Sequence, residues 1–322
     1  MSSSWFSFSL PDFAVSFLSI LLEGIPFLLL GSLLSGIIDV FVPATALTRF
    51  FPKSSNAAIA LSGLLGAVIP MCECGSVVII RRFIRKGLPV SCAVAYMLGA
   101  PIVSPIVAVS TFAAFRGQNP WVMTSLRLIF GFCVAVTVGY VVRHIPVHKL
   151  LQNKVLESLP ERRRMAFSIA GSPDTDDASA NATLDSGLAM RIARAVQSAT
   201  SDFLDVAFFF VVGAAIAAVF NTAVNQQVIQ SLATSPMLSI LAMMGLAFAL
   251  ALCSSTDAFI AASFVAFPFA AKLAFLVFGP VFDIKLFFLY GVVFRRWFVV
   301  SLLVGLFILV AVLCSRVATL NL

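Results

Sequence analysis

The sequence predicts an all-α polytopic membrane protein of about eight transmembrane helices, arranged as two related four-helix halves with discontinuous helices. Three observations predict it. Hydrophobic residues make up 61% of the 322 positions and charged residues only 11%, where a soluble domain carries about a quarter charged residues; the mean hydropathy is +1.06. Apolar stretches recur at the length that crosses a bilayer, about 20 residues. Motif residues in the first half return in the second at one fixed offset.

The first stretch, 13–41, follows a segment without a basic n-region, and Glu23 interrupts its apolar run. It therefore reads as a retained span and not a cleaved signal. The next two, 57–84 and 89–115, are long and interrupted, the first around Cys72-Glu73-Cys74-Gly75 and the second at Ala100-Pro101-Ile102-Val103-Ser104-Pro105. Two prolines four apart unwind a helix locally, and unwound backbone at membrane depth needs protein or a wet cavity to satisfy it. The run 121–142 completes the first half. A second set falls at 203–224, 236–262, 267–294 and 297–315. The halves read as 1–142 and 201–322, joined by a polar linker, 143–200, whose acidic, small-residue part 171–187 is expected to be disordered.

The Lys and Arg distribution sets orientation. With eight spans, Arg81, Arg82, Arg85, Lys86, the basic residues of 143–200, Lys272 and both termini share one side, expected to be cytoplasmic. Arg49, Lys53, Arg116, Arg295 and Arg296 then lie outside as a minority. In such a chain the net charge of +7 reports topology and contact with membrane lipids, so nucleic acid is not an expected partner. The 32 Phe beside three Tyr and three Trp suit lipid-facing helices. Six Cys in a mostly lipid-embedded chain are no disulfide framework; Cys92, Cys133 and Cys314 read as packing residues.

Cys74 and Cys253 are 179 positions apart (253 − 74 = 179), and the same offset pairs Gly66 with Gly245, Pro89 with Pro268, Pro101 with Pro280 and Arg116 with Arg295. Glu23 falls on Asp202. Transporters built from related halves place the substrate near the midplane, between broken helices from each half. The matching breaks are 72–75 with 251–254, and 100–105 with 279–285. Four spans per half make the repeats parallel; one re-entrant segment per half makes them inverted. The sequence leaves both open.

Ionisable groups within membrane spans are functional candidates. Positions i and i+2 of a regular helix face apart, so Cys72 and Cys74 share a ligand only where the helix is broken, beside Gly75. Symmetry brings Cys253 to the same cavity. Three thiols suit a thiophilic centre better than a hard cation; the alternative is that all three simply pack. Glu73, Asp257 and Asp283 are the carboxylates, with Lys285 and Arg127 nearby, and desolvation suits such groups to proton exchange. Asp283 and Lys285 also read as a structural ion pair. The i,i+4 pair His144 and His148 lacks the glutamate of a metalloprotease helix, and no resident metal or cofactor is expected. No P-loop and no nucleophile elbow occurs, so an enzyme is not expected.

The run Ile69-Pro70-Met71-Cys72-Glu73-Cys74-Gly75, then Arg81-Arg82-Phe83-Ile84-Arg85-Lys86-Gly87-Leu88-Pro89, then the Ala100 to Pro105 element, resembles the bacterial permease family typified by the organoarsenical efflux permease ArsP. That family shows Pro-x-Cys-x-Cys-Gly, a basic turn with Gly-x-Pro, and Ala-Pro-x-x-Asn-Pro. The resemblance implies a multi-pass plasma-membrane permease, in some members exporting trivalent organoarsenicals. By position it makes Cys72 and Cys74 ligands, with residues 101–105 the break opposite. Ser104 stands where the family usually has Asn, and Glu73 replaces a Ser between the cysteines.

The resulting expectation is proton-linked export of a thiophilic solute or metalloid, trivalent arsenicals first. Cys72, Cys74, Gly75, Pro101, Ser104, Pro105 and Cys253 would bind it, and Glu73, Asp257, Asp283 and Lys285 would couple ions. A divalent metal or small anion is the alternative substrate, a thiol-redox or anchoring subunit the alternative role, and a homodimer a further expected partnership.

Overall fold

The computed structural model describes residues 9–41, 55–157, 188–223 and 235–319. The first half comprises α1 (Leu10–Phe41), α2 (Ser55–Leu64), α3 (Glu73–Arg85), α4 (Val90–Gly99), α5 (Pro105–Ala114) and α6 (Pro120–Arg143). Two short helices follow, α7 (Val147–Leu150) and α8 (Asn153–Glu157). The second half comprises α9 (Leu188–Ala223), α10 (Pro236–Leu250), α11 (Asp257–Ser263), α12 (Phe269–Phe278), α13 (Ile284–Val293) and α14 (Arg296–Thr319). The helix read at 203–224 thus begins at Leu188, inside the expected linker. The expected disorder of 171–187 lies outside the described residues.

All four interrupted stretches are broken. Between α4 and α5 the chain turns at residues 100–104, between α12 and α13 at 279–283, and between α10 and α11 at 251–256. Pro105 opens α5 at a position where its missing N–H costs nothing. Gly75 does not make the first break. That break lies upstream, and Cys72 caps α3 by accepting from the Gly75 N–H at 3.4 Å. What needs glycine at 75 is α1: a Cβ on Gly31 would sit 2.8 Å from the Gly75 Cα, so the two backbones touch through small residues, as membrane helices do.

Contacts fix the directions. Gly24 of α1 lies on Phe210, and Gly36 on Ala195 and Ala199, so α1 and α9 run antiparallel. Gly63 meets Gly99 and Gly66 meets Ala100, so α2 and α4 run side by side in the same direction. The chain between them, α3, must therefore turn back. Its C-terminal end joins the C-terminal end of α1, where Lys86 Nζ donates to the Asp39 carbonyl (2.7 Å). α6 returns along α4 and α5: Arg127 reaches Thr111, Gly131 lies on Ile102, and Gly139 lies by Ser91. In the second half α10 and α12 also run side by side in the same direction. Ala247 meets Gly279 and Phe248 stacks on Phe282 at 6.4 Å, while Ala262 of α11 and Lys272 of α12 both bond Gln118 at the far end of α6.

The stretches 57–84 and 236–262 are therefore helix pairs that return to the end from which they enter, not through-going rods. The chain runs the length of the molecule in α1, α4–α5, α6, α9, α12–α13 and α14. Leu10 and Thr319 consequently lie at the end opposite Arg143, whereas eight through-going spans would put both termini beside 143–200. Among the described residues, four helices are long and apolar enough to cross a membrane singly: α1, α6, most of α9 and α14.

Helix bounds recur with the sequence offset. α4 and α12 differ by 179 at both ends (269 − 90 = 179), as do α5 and α13 (284 − 105 = 179). One connection straps the halves together. Leu151 forms an antiparallel bridge with Phe294, the Gln152 N–H donates to Val293 (3.0 Å), and the Arg295 N–H donates to Leu150 (2.8 Å).

Candidate functional site

Three chain breaks bring the site together. The start of α3 carries Cys72, Glu73 and Cys74; the turn after α10 carries Cys253; the start of α13 carries Asp283 and Lys285. Lys285 Nζ is the hub. It donates to Glu73 Oε1 at 3.0 Å and to the Ala251 carbonyl at 2.9 Å, and lies 3.4 Å from Asp283 Oδ2. Ala251 ends α10 in the left-handed region, at φ 50°, a strained choice for a residue with a Cβ. That turn aims its carbonyl at the ammonium. Asp283 caps α13 by accepting from the Leu286 N–H at 2.7 Å. Lys285, Glu73 and Asp283 are all at most 4% exposed.

The thiols lie on the chain breaks that meet at this hub. Cys72 and Cys74 flank Glu73, which accepts from Lys285, and Cys253 follows Ala251 and Leu252, whose carbonyls accept from the same ammonium at 2.9 and 3.4 Å. Cys253 accepts from the Ser255 hydroxyl at 3.6 Å. All three are buried in the packed core. Glu73 Oε2 is buried with no hydrogen-bond partner. One cation thus faces two carboxylates, an imbalance that a proton or a bound cation would correct.

Asp257 belongs to a second cluster. The Arg127 guanidinium grips it at 2.9 and 2.7 Å, and also donates to the Ser254 carbonyl (2.9 Å) and Thr111 Oγ1 (2.7 Å). Arg127 is fully buried. It thereby ties α6 and α5 of the first half to the broken turn of the second. Glu23 accepts from Thr256 Oγ1 at 3.2 Å, on the same turn.

A third polar cluster was not read from the sequence as interacting residues. Arg82 bonds Asp202 (2.8 Å) and Asp39 (3.1 Å), Ser35 donates to Asp202 (2.7 Å), and Arg81 pairs with Asp205 (2.8 Å). The available signal was Asp202, an acidic residue within an apolar helix at the offset of Glu23.

Of the remaining candidates, Pro101 and Ser104 are buried in the turn between α4 and α5, and Pro105 is exposed at the start of α5. Among the described residues, no side-chain hydrogen bond links Ser104 to the Lys285 cluster; it holds the position before α5 that Asp283 holds before α13, but without the capping hydrogen bond that Asp283 makes. Cys92 and Cys314 are buried, while Cys133 is exposed on α6. The His144 ring packs against Tyr140 at 5.1 Å. No group of three metal-binding side chains occurs among the described residues.

Comparison with known proteins places this arrangement in a family. Residues 10–320 match the family described as "Predicted permease" (ArsP_1). The chain is 35% identical over 295 residues to the "UPF0718 protein YcgR" of Bacillus subtilis, covering 91% of this chain and 92% of that one. It is 33% identical over 272 residues to a "Putative two-component membrane permease complex subunit" of Streptococcus mutans, covering 84% and 82% respectively. No solved structure matches. With buried charges at the helix breaks of a multi-pass apolar bundle, and a family match over nearly its whole length, the chain belongs to this predicted permease family of membrane proteins.

Proposed function

We propose that the chain is a secondary permease that exports a thiophilic solute, trivalent (organo)arsenicals first, with proton coupling. The observation that carries this is the meeting of two chain breaks that bear cysteines, Cys72–Cys74 from one half and the turn before Cys253 from the other, at Lys285, which donates to Glu73 and to the Ala251 and Leu252 carbonyls. Soft thiolate ligands select thiophilic centres, and the surplus carboxylate supports a proton cycle at Glu73 or Asp283. Asp257, clamped by Arg127, is assigned a structural role, which narrows the coupling set. Uptake of a trivalent arsenical into everted vesicles tests the reading. Cys74→Ser is expected to lower uptake at least about tenfold, equivalent to about 1.4 kcal/mol of lost binding. Parent-level uptake would remove Cys74 from the ligand set.

The helix directions support six crossings with two re-entrant hairpins, α2–α3 and α10–α11, in place of eight spans. An odd number of crossings per half makes the halves an inverted repeat, and the antiparallel α1 and α9 support it. The charge distribution agrees. Among the described residues, Arg81, Arg82, Arg85, Lys86, Arg143, Lys149, Arg191, Arg194, Arg295 and Arg296 lie at one end, against Arg116, Lys272 and Arg316 at the other. The richer end is assigned to the cytoplasm, and both termini to the outside. A C-terminal alkaline phosphatase fusion is expected to be active; an inactive one, beside an active fusion after Gln118, would reverse the assignment of the C-terminus. The Streptococcus relative's description as a complex subunit supports a protein partner for this chain, a second copy or another subunit.

A further inference from the structure

A cavity of about 550 Å³ opens at the cation-rich end, lined among others by Arg81, Asp205, Phe209, Phe288, Gly291 and Arg296. Three of its walls lead inward to Lys285 and the start of α3. On α3, Arg81, Val78 and Cys74 succeed one another at helical spacing, so they share one face. On α9 the same spacing joins Asp205, Phe209 and Gly213, and a Cβ on Gly213 would lie 2.8 Å from the Lys285 Cα. On α13, Gly291 and Phe288 are neighbours one turn apart, and so are Phe288 and Lys285. Each stripe starts at the cavity and ends at the cluster, about 10 Å deeper for α3 at 1.5 Å per residue.

We infer that this cavity is the solute vestibule on the cation-rich side, that Phe209 and Phe288 form its floor, and that it favours neutral or anionic solutes over cations. The charged residues that line it are two arginines, Arg81 and Arg296, and one carboxylate, Asp205, and a mouth richer in one sign concentrates the opposite charge. The Arg81–Asp205 pair at 2.8 Å closes one side of the mouth between α3 and α9. This deepens the reading above and rests on it for the solute, but the vestibule itself is testable without any solute. It also disfavours a divalent metal as cargo entering from this side.

The test uses the full-length chain in vesicles of each orientation. A Cβ on Gly291 meets nothing within 4 Å, so Gly291→Cys fits the fold and points a thiol into open space. Methanethiosulfonates carrying either a sulfonate or a trimethylammonium group report access, read by mass spectrometry of the peptide, with Lys149→Cys as the surface control. Labelling of Gly291→Cys is expected only from the cation-rich side, at least several-fold faster with the sulfonate than with the ammonium reagent relative to the control. Arg81→Gln together with Arg296→Gln should erase that preference. Phe288→Cys, one turn deeper, should label from the same side more slowly.

If Gly291→Cys stays unlabelled while Lys149→Cys is labelled, the vestibule is refuted. Equal rates for the two reagents refute the charge preference. If labelling behaves as expected but the unmodified protein moves no arsenical, the vestibule stands and the proposed cargo falls.

Discussion

Lys285→Met is expected to abolish transport and to cost about 3–5 kcal/mol of stability, the penalty for leaving buried charge without its partner. The substitution keeps the stem's volume and removes the ammonium. Glu73 and Asp283, both buried, would then face one another with no cation, and the Ala251 carbonyl would lose its donor. Thermal unfolding in detergent should show a large drop. The triple variant with Glu73→Gln and Asp283→Asn should recover much of the stability, because neutral amides no longer need the ammonium. Transport should remain absent in the triple variant. Recovery of transport as well would mean that the cluster holds the helix breaks together and takes no part in coupling.

Arg127→Leu is expected to be nearly as damaging, but for a different reason. Its guanidinium satisfies Asp257, the Ser254 carbonyl and Thr111 in one place, so its loss strands a buried carboxylate at a cost of about 3–5 kcal/mol. Here the companion change Asp257→Leu should restore folding, because replacing a whole buried pair by apolar side chains is often neutral or stabilising. Transport should return with the fold. The measurement is vesicle uptake per folded protein. A well-folded double variant with no uptake would put Asp257 back among the coupling residues. The contrast between the two experiments tests whether the Lys285 cluster couples transport and the Arg127–Asp257 pair only braces the fold.

The sequence made the helix breaks legible because proline and charged or thiol residues inside apolar runs have few structural uses. Residues 100–105 and 279–285 were located for that reason. The direction of the chain through 57–84 was not legible. Two half-helices that turn back and one helix that passes through need the same length of apolar sequence, and tertiary contacts such as Gly63 with Gly99 and Gly66 with Ala100 separate them. The charge count carried a hint. Eight through-going spans separate Arg295 and Arg296 from the other arginines, whereas the structure places Arg296 with Arg81 on one cavity and Arg295 against Leu150. Gly75 was read as a helix breaker because glycine destabilises helices, but packing against Gly31 is a tertiary property that no local pattern encodes. The pairing of Lys285 with Glu73, 212 residues away, is of the same kind. The nearer Asp283 was the partner a sequence can suggest, and it is the longer contact of the two.

The strap between the halves bears on how the protein is made. Leu151 and Arg295 are 144 residues apart, and at roughly 5–20 residues per second the ribosome takes on the order of ten seconds to pass from one to the other. For that interval the tail of the first half has no mate. Its backbone groups at 150–152 must be held by water or by the insertion machinery until the junction of α13 and α14 emerges. Membrane assembly of this chain is therefore ordered in time, and the first half keeps this backbone pairing open until most of the second half has been made.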